Sequence, residues 1–158
     1  MLEQKNKLEP IVRAVDVDCD REEAFRIFTE RFAKWWPLAS YSIHKERAKD
    51  CEMQPGVGGR IFERTKDGKT HDWGFVIAWD PPRRLVFTWS PGRKPDVGET
   101  VEVEFRVVAV GTRITVTHRG WERSGAQASI QRDEIGSQWT SILWICAEEM
   151  MASALCHA

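Results

Sequence analysis

The middle of the chain is a run of short alternating segments separated by tight-turn signals. That pattern limits the possible folds more than any other feature. "GGRIFERT" and "HDWGFVIAW" flank Asp67–Gly68, a two-residue hairpin signal. "RLVFTWS" follows the turn Asp80-Pro81-Pro82, and "TVEVEFRVVAV" and "TRITVTHRG" flank Gly111–Thr112, which suits a hairpin with glycine first. Ahead of them "LEPIVRAVDVD" alternates from Ile11 onward and predicts a first strand over about 8–17. Strands joined by consecutive hairpins lie side by side and antiparallel.

Two helical segments accompany the strands. "DREEAFRIFTERFAKWWP" predicts a helix over 20–36, with Asp20 as cap and Glu23 at the capping-box spacing. Phe25, Phe28, Phe32 and Trp35 form its apolar spacing, and Pro37 stops it, because proline disfavours helix in the residue before it. "DEIGSQWTSILWICAEEMMASALC" predicts a helix over 133–156. Its stripe is Ile135, Trp139, Ile142, Cys146 and Met150, broadened by Leu143. The order is strand, helix, about six strands, long helix. It predicts an α+β layer fold with an antiparallel sheet of about seven strands and helices on one face. One domain over 8–156, with a tail at 1–7, accommodates all of it.

Faces follow from register. A turn at Gly111–Thr112 sets Ala109 opposite Ile114, Val107 opposite Val116 and Phe105 opposite His118, all on one apolar face. Glu104 and Arg106 then point to water with Thr117 and Arg119. Leu85, Phe87 and Trp89 are the larger, inward set of their strand. Strand 72–79 is apolar on both faces, with Trp73, Phe75, Ile77 and Trp79 on one and Gly74, Val76 and Ala78 on the other. Either a bulge shifts the pattern or its outside packs on something, a second copy of the chain being one candidate.

Eight tryptophans against one tyrosine call for a wide interior to fill or line. A seven-stranded sheet is roughly 29 Å across, and a helix is only about 10 Å thick. One long helix cannot cover that sheet. The 20–36 helix is the second cover, and Trp35 and Trp36 are its largest side chains. One can face the sheet while the other packs at the rim or toward the C-terminal helix.

Other chemistry is thin. Net charge is −1, from 23 basic and 24 acidic residues, which argues against nucleic acid or an anionic membrane as the main partner. No apolar run is long enough to span a bilayer, and MLEQKNKLEP is no signal peptide, so the expected compartment is the cytoplasm. Cys19, Cys51, Cys146 and Cys156 lack metal-site spacing and read as reduced, structural thiols; no metal or cofactor is implied. "PGVGGR" lacks the Lys-Ser/Thr ending of a phosphate loop. His71 and Asp72 are adjacent on a strand and point apart. Ser40, Ser42 and His44 match no nucleophile elbow. Glu63 and Glu104 make poor paired acids, and "KPDVGETVEVE" reads as the solvated start of a strand. No nucleophile–base–orienter set emerges.

The order of elements, together with "FTERFAKWWPLASYSI", "MQPGVGGRIFERTKDG", "DWGFVIAWDPPRRLVFTW", "TRITVTHRGWE" and "GSQWTSILWI", resembles the SRPBCC or START-like superfamily. Within it, the chain is most similar to the family related to the C-terminal domain of the activator of heat-shock-protein ATPase. The resemblance covers about 10–150. It implies a helix-grip fold, a curved antiparallel sheet around a long C-terminal helix with an apolar cavity between them. Members include lipid carriers, hormone sensors and polyketide cyclases.

Three functions follow. The first is binding of a small apolar or aromatic molecule between sheet and C-terminal helix. Its expected lining is Trp35, Trp36, Phe87, Trp89, Phe105, His118, Trp139 and Leu143, with His118 as the polar contact. The second is an interaction module of chaperone-activator type, using the outer face near Trp73 and Phe75. The third is a cyclase- or hydrolase-like enzyme that works in the same cavity with His118.

Overall fold

Hairpin pairing organises the molecule. The computed structural model describes residues 9–91, 98–120 and 128–153, with backbone only for 128–131. Its strands are β1 (Ile11–Val17), β2 (Ala48–Met53), β3 (Arg60–Thr65), β4 (Thr70–Asp80), β5 (Arg84–Thr88), β6 (Thr100–Val107) and β7 (Thr112–Arg119). They form one curled antiparallel sheet in the order β1-β7-β6-β5-β4-β3-β2. The helices are α1 (Arg21–Glu30), α2 (Phe32–Trp35) and α3 (Ala128–Ala152), so the fold is α+β of helix-grip type. The sheet's inner face, α1, α2 and α3 enclose a single apolar core. The tail, the 92–97 segment and Cys156 lie outside the described residues.

Three local expectations need correction. The helix expected over 20–36 breaks at Arg31 (φ −105°, ψ 25°), and Asp20 makes no side-chain cap bond. The break lets Trp35 fold back so that its Nε1–H donates to the Phe28 carbonyl at 3.1 Å. The β6–β7 hairpin closes on a four-residue loop, with the Val108 N–H donating to the Gly111 carbonyl at 3.1 Å and Gly111 at φ 87°. Phe105 therefore pairs with Ile114, and His118 pairs with Val101, four residues from the expected Phe105. Because that displacement is even, the ladder residues keep their parity: Phe105, Ile114, Val116 and His118 are buried, but Val107 and Ala109, expected on the same buried face, lie exposed at the hairpin end, and Thr117, expected in water, is buried. The Asp67–Gly68 turn also takes one more residue than expected. The Thr65 N–H donates to the Lys69 carbonyl across Lys66-Asp67-Gly68, and Gly68 sits at φ 88°.

The ambiguity of strand 72–79 resolves through bulges. The pairing of β4 slips once against β3 at Trp73 and once against β5 at Ile77. Each extra residue turns the pattern over. Trp73 and Val76 face the core, Phe75 and Ile77 remain about 41% and 44% exposed, and Trp79 turns back onto Phe25 at 5.2 Å. Trp73 is thus not on the outer face. Gly74 has no room for a side chain, because a Cβ there would run into the Thr88 carbonyl.

β2 completes the seven strands. Its sequence AKDCEM buries only Cys51 and Met53, too few apolar positions for the alternation to stand out. On α3 the expected stripe is buried at Trp139, Ile142, Leu143, Cys146 and Met150, with Ile135 half-buried. Cys51 and Cys146 are free and buried. Burial, with Asp50 and Glu63 nearby, pushes the Cys51 thiol up to about 12, and burial followed by Glu149 raises Cys146 also. Cys19, by contrast, is disulfide-bonded, which corrects the expectation of a reduced thiol there.

Candidate functional site

The paired tryptophans diverge because the helix ends between them. Trp35 is the last residue of α2 and packs on Phe28 (4.9 Å) and Phe32 (5.5 Å) inside the helical layer. Trp36 is already extended (φ −64°, ψ 127°), as Pro37 demands. It swings toward the sheet, where its ring lies 5.3 Å from Trp73, 5.8 Å from Trp89 and 6.1 Å from Trp139. Trp89 in turn lies 6.0 Å from Trp139. Four indoles from four separate parts of the chain meet at one end of the sheet–helix interface.

Above them lies a cleft of about 390 Å³. The four indoles form its floor. Tyr41, Ile43, Glu99, Ile135 and Ile142 add to the walls, and Ser40, Lys45, Glu134 and Gln138 make the exposed rim. The indole N–H groups of Trp36, Trp73 and Trp139 are tied back into the protein. Trp36 Nε1–H donates to the Tyr41 carbonyl (2.8 Å), Trp73 Nε1–H to Glu63 Oε1 (2.7 Å) and Trp139 Nε1–H to His118 Nδ1 (3.0 Å). Those bonds fix the ring orientations, so the floor is preorganised and largely apolar.

Two buried carboxylates support this floor. Glu63, on the inner face of β3, accepts from the Ile43 N–H (2.6 Å), the His44 N–H (3.0 Å), Trp73 Nε1–H, and His44 Nδ1 at 3.0 Å. Burial pushes its carboxyl up, but the hydrogen bonds from Ile43, Trp73 and His44 outweigh that and hold it below the usual range. Glu63 thereby clips the 41–45 wall of the cleft to the sheet. Glu99 sits just before β6, and its Oε1 is 3.0 Å from His118 Nε2. Both side chains are essentially inaccessible from bulk solvent. Trp139, His118 and Glu99 therefore form a buried relay that ends in the cleft wall.

Of the residues expected from the sequence, the structure brings Trp36, Trp89 and Trp139 together on the floor. His118 lies behind it, one hydrogen bond from Glu99 and one from Trp139. Trp35, Phe87 and Phe105 are core side chains. Leu143 borders a separate dimple of about 90 Å³ between β1 and α3. Sequence reasoning placed Trp73 on the outer face, set Glu63 aside as a poor paired acid and did not single out Glu99. Glu99 lies in the run that read as solvated, yet it is 2% exposed. The usable signal was proximity to strand ends facing the indoles, which only the register supplies.

Comparison with known proteins fits this architecture. Residues 18–143 match the family model described as Activator of Hsp90 ATPase homolog 1-like protein. The chain belongs to that family. No curated protein matches it. Among solved structures, the AHSA1-like protein from Aeromonas hydrophila is 24% identical with a TM-score of 0.65, covering 94% of this chain and 96% of its own. The Aha1 dimer from Colwellia psychrerythraea is 17% identical with a TM-score of 0.58, covering 87% and 92%. The anthrahydroquino-gamma-pyrone synthase Txn09, complexed with SUM, is 31% identical with a TM-score of 0.54, covering 78% of this chain and 84% of its own. The three structures share the present fold, and one of them is described as a synthase. Among the described residues no helix is long and apolar enough to cross a membrane, and no group of three or more His, Cys, Asp or Glu side chains is placed to hold a metal ion.

Proposed function

We propose that the protein binds a planar aromatic small molecule in the indole-floored cleft. The observation that carries this reading is the convergence of Trp36, Trp73, Trp89 and Trp139 under a cleft of about 390 Å³. That volume falls within the roughly 300–1,000 Å³ of small-molecule sites. A floor of fixed π-faces rewards flat, apolar surface through offset and edge contacts. The likeness to an anthrahydroquino-gamma-pyrone synthase supports the same ligand class. The lining set narrows accordingly to Trp36, Trp89 and Trp139 of the residues expected from sequence, joined by Trp73, Ile135 and Ile142.

The test is a tryptophan-fluorescence titration of the full chain with anthraquinone and with 2-hydroxyanthraquinone. Saturable quenching is expected, with Trp89→Leu weakening affinity about two- to tenfold, the worth of one aromatic contact. Non-saturating quenching by both compounds, alike in wild type and variant, defeats the reading. A second reading, cyclase chemistry in the same cleft, is favoured by the identity to Txn09. Mass-spectrometric detection of ring closure in a phenolic polyketide substrate separates it from binding alone.

A further inference from the structure

We propose that Lys45 reads charge at the mouth of the cleft, and that the ligand is a planar aromatic acid whose carboxylate lies at the outward edge of its ring system. This rests on the reading of the cleft as an aromatic site and names the substituent that site selects.

Among the described residues that line the cleft, Lys45 is the only cation. Among them too its ammonium meets one partner, the Ser40 carbonyl, to which Nζ donates at 2.8 Å. An ammonium has three N–H donors, so two remain for a ligand. The Lys45 backbone is left-handed (φ 51°), a region that residues with a Cβ seldom occupy, and its N–H donates to Ser42 Oγ at 2.8 Å. Immediately before it, Glu63 accepts from the Ile43 and His44 N–H groups. Both ends of the lysine are therefore held before a ligand arrives, the backbone by Glu63 and Ser42 and the tip by Ser40. Much of the ordering that a long cationic side chain undergoes on binding is already in place.

The surroundings settle where an anion fits. Glu99, buried in the wall beside His118, disfavours an anion set deep in the cleft. Glu134 stands exposed on α3, with Gln138 one turn further on. The mouth is thus positive on the 41–45 wall and negative on the helix wall. A flat ring system lying on the indoles turns its carboxylate outward and toward Lys45; the reverse orientation sets it against Glu134. Lys45 therefore orients the ligand as well as selecting it. The net charge of −1 supplies no general attraction for anions, so a preference for them has to come from this local cation. Because Lys45 is exposed, the gain is that of a surface ion pair.

The experiment titrates the full chain with anthraquinone and with anthraquinone-2-carboxylate, followed by tryptophan fluorescence at low and at high salt. In the wild type at low salt the carboxylate is expected to bind about two- to fivefold tighter than anthraquinone, and the difference should shrink at high salt as screening sets in. Lys45→Met should bring that ratio to one or below, because Glu134 then stands unopposed. Lys45→Arg keeps the charge and should keep the preference. Glu134→Gln should widen it. A wild-type ratio below about twofold at low salt would overturn the role of Lys45 and leave the aromatic cleft standing, and so would a ratio unchanged in Lys45→Met. Saturable binding of neither compound would overturn both. Met and Arg carry a Cβ as lysine does, so the left-handed backbone is asked for nothing new. The wild-type ratio decides even where a variant folds poorly, and thermal melting identifies that case.

Discussion

Among the described residues two histidine–glutamate pairs lie beneath the cleft, and they tie different elements together. Glu63 is ringed by donors from two directions, Ile43 and His44 on one side and Trp73 on the other, and His44 stays a quarter exposed. Its acceptor capacity is spent on holding the 41–45 segment and an indole in place. Glu99 meets a histidine that is fully buried and whose other nitrogen is already committed to Trp139. The first pair fastens the cleft wall, and the second joins the start of β6 to β7 and, through Trp139, to α3. The difference shows that burial and a histidine partner do not by themselves mark a functional carboxylate. What separates the two is the set of elements each joins, a loop and two strands for Glu63, and two strands and α3 for Glu99 with its histidine.

The largest expected effect tests the fastening role. Glu63→Gln replaces one acceptor oxygen with an amide that faces donors, so at least one buried N–H loses its partner. A loss of roughly 2–3 kcal/mol in unfolding free energy is expected, measured by urea denaturation at neutral pH. A loss below about 0.5 kcal/mol would remove the fastening role from Glu63.

Acidity gives the next effect. The Glu63 carboxyl is depressed in the folded protein, so its contribution is fully present above the ordinary carboxyl value of about 4.3 and fades as pH falls through the lower folded value. The stability gap between wild type and Glu63→Gln should therefore be constant near neutrality and shrink in acid. Urea unfolding at several pH values below 5 measures it, and a gap that widens toward acid would contradict the assignment.

How far the sequence reveals all this depends on which property is asked for. Layer order, strand direction and the buried faces of 100–107 and 112–119 follow from alternation alone, and they survive a misplaced hairpin because a shift of four preserves parity. Strand 70–80 defeats the same logic at two places. Bulges at Trp73 and Ile77 are set by pairing with neighbours on both sides, and a single strand's pattern holds no record of them. The indoles were legible as cover for a sheet too broad for one helix, but their division was less so. Only the turn at Pro37 sends Trp36 and not Trp35 to the cleft. Both carboxylates were hidden for one reason. An acidic residue in a polar strand segment looks solvated until long-range partners, 20 residues away for Ile43 and Glu63 and 19 for His118 and Glu99, are known.

The smallest effect probes the relay from its far end. Trp139→Phe keeps most of the aromatic surface and deletes the one N–H that fixes His118 Nδ1 as an acceptor. About 1 kcal/mol of stability should be lost, one ordinary hydrogen bond. The sharper readout is the imidazole itself. In wild type, long-range ¹H–¹⁵N correlation should show His118 as the tautomer with Nδ1 bare, because an indole N–H can only donate. In Trp139→Phe that constraint is gone, and the nitrogen signals of the ring should shift. Glu63 and His44 share no bond with this chain and should be indifferent to the change. If the His118 signals match in the two proteins, the indole is packing against the ring without governing its tautomer.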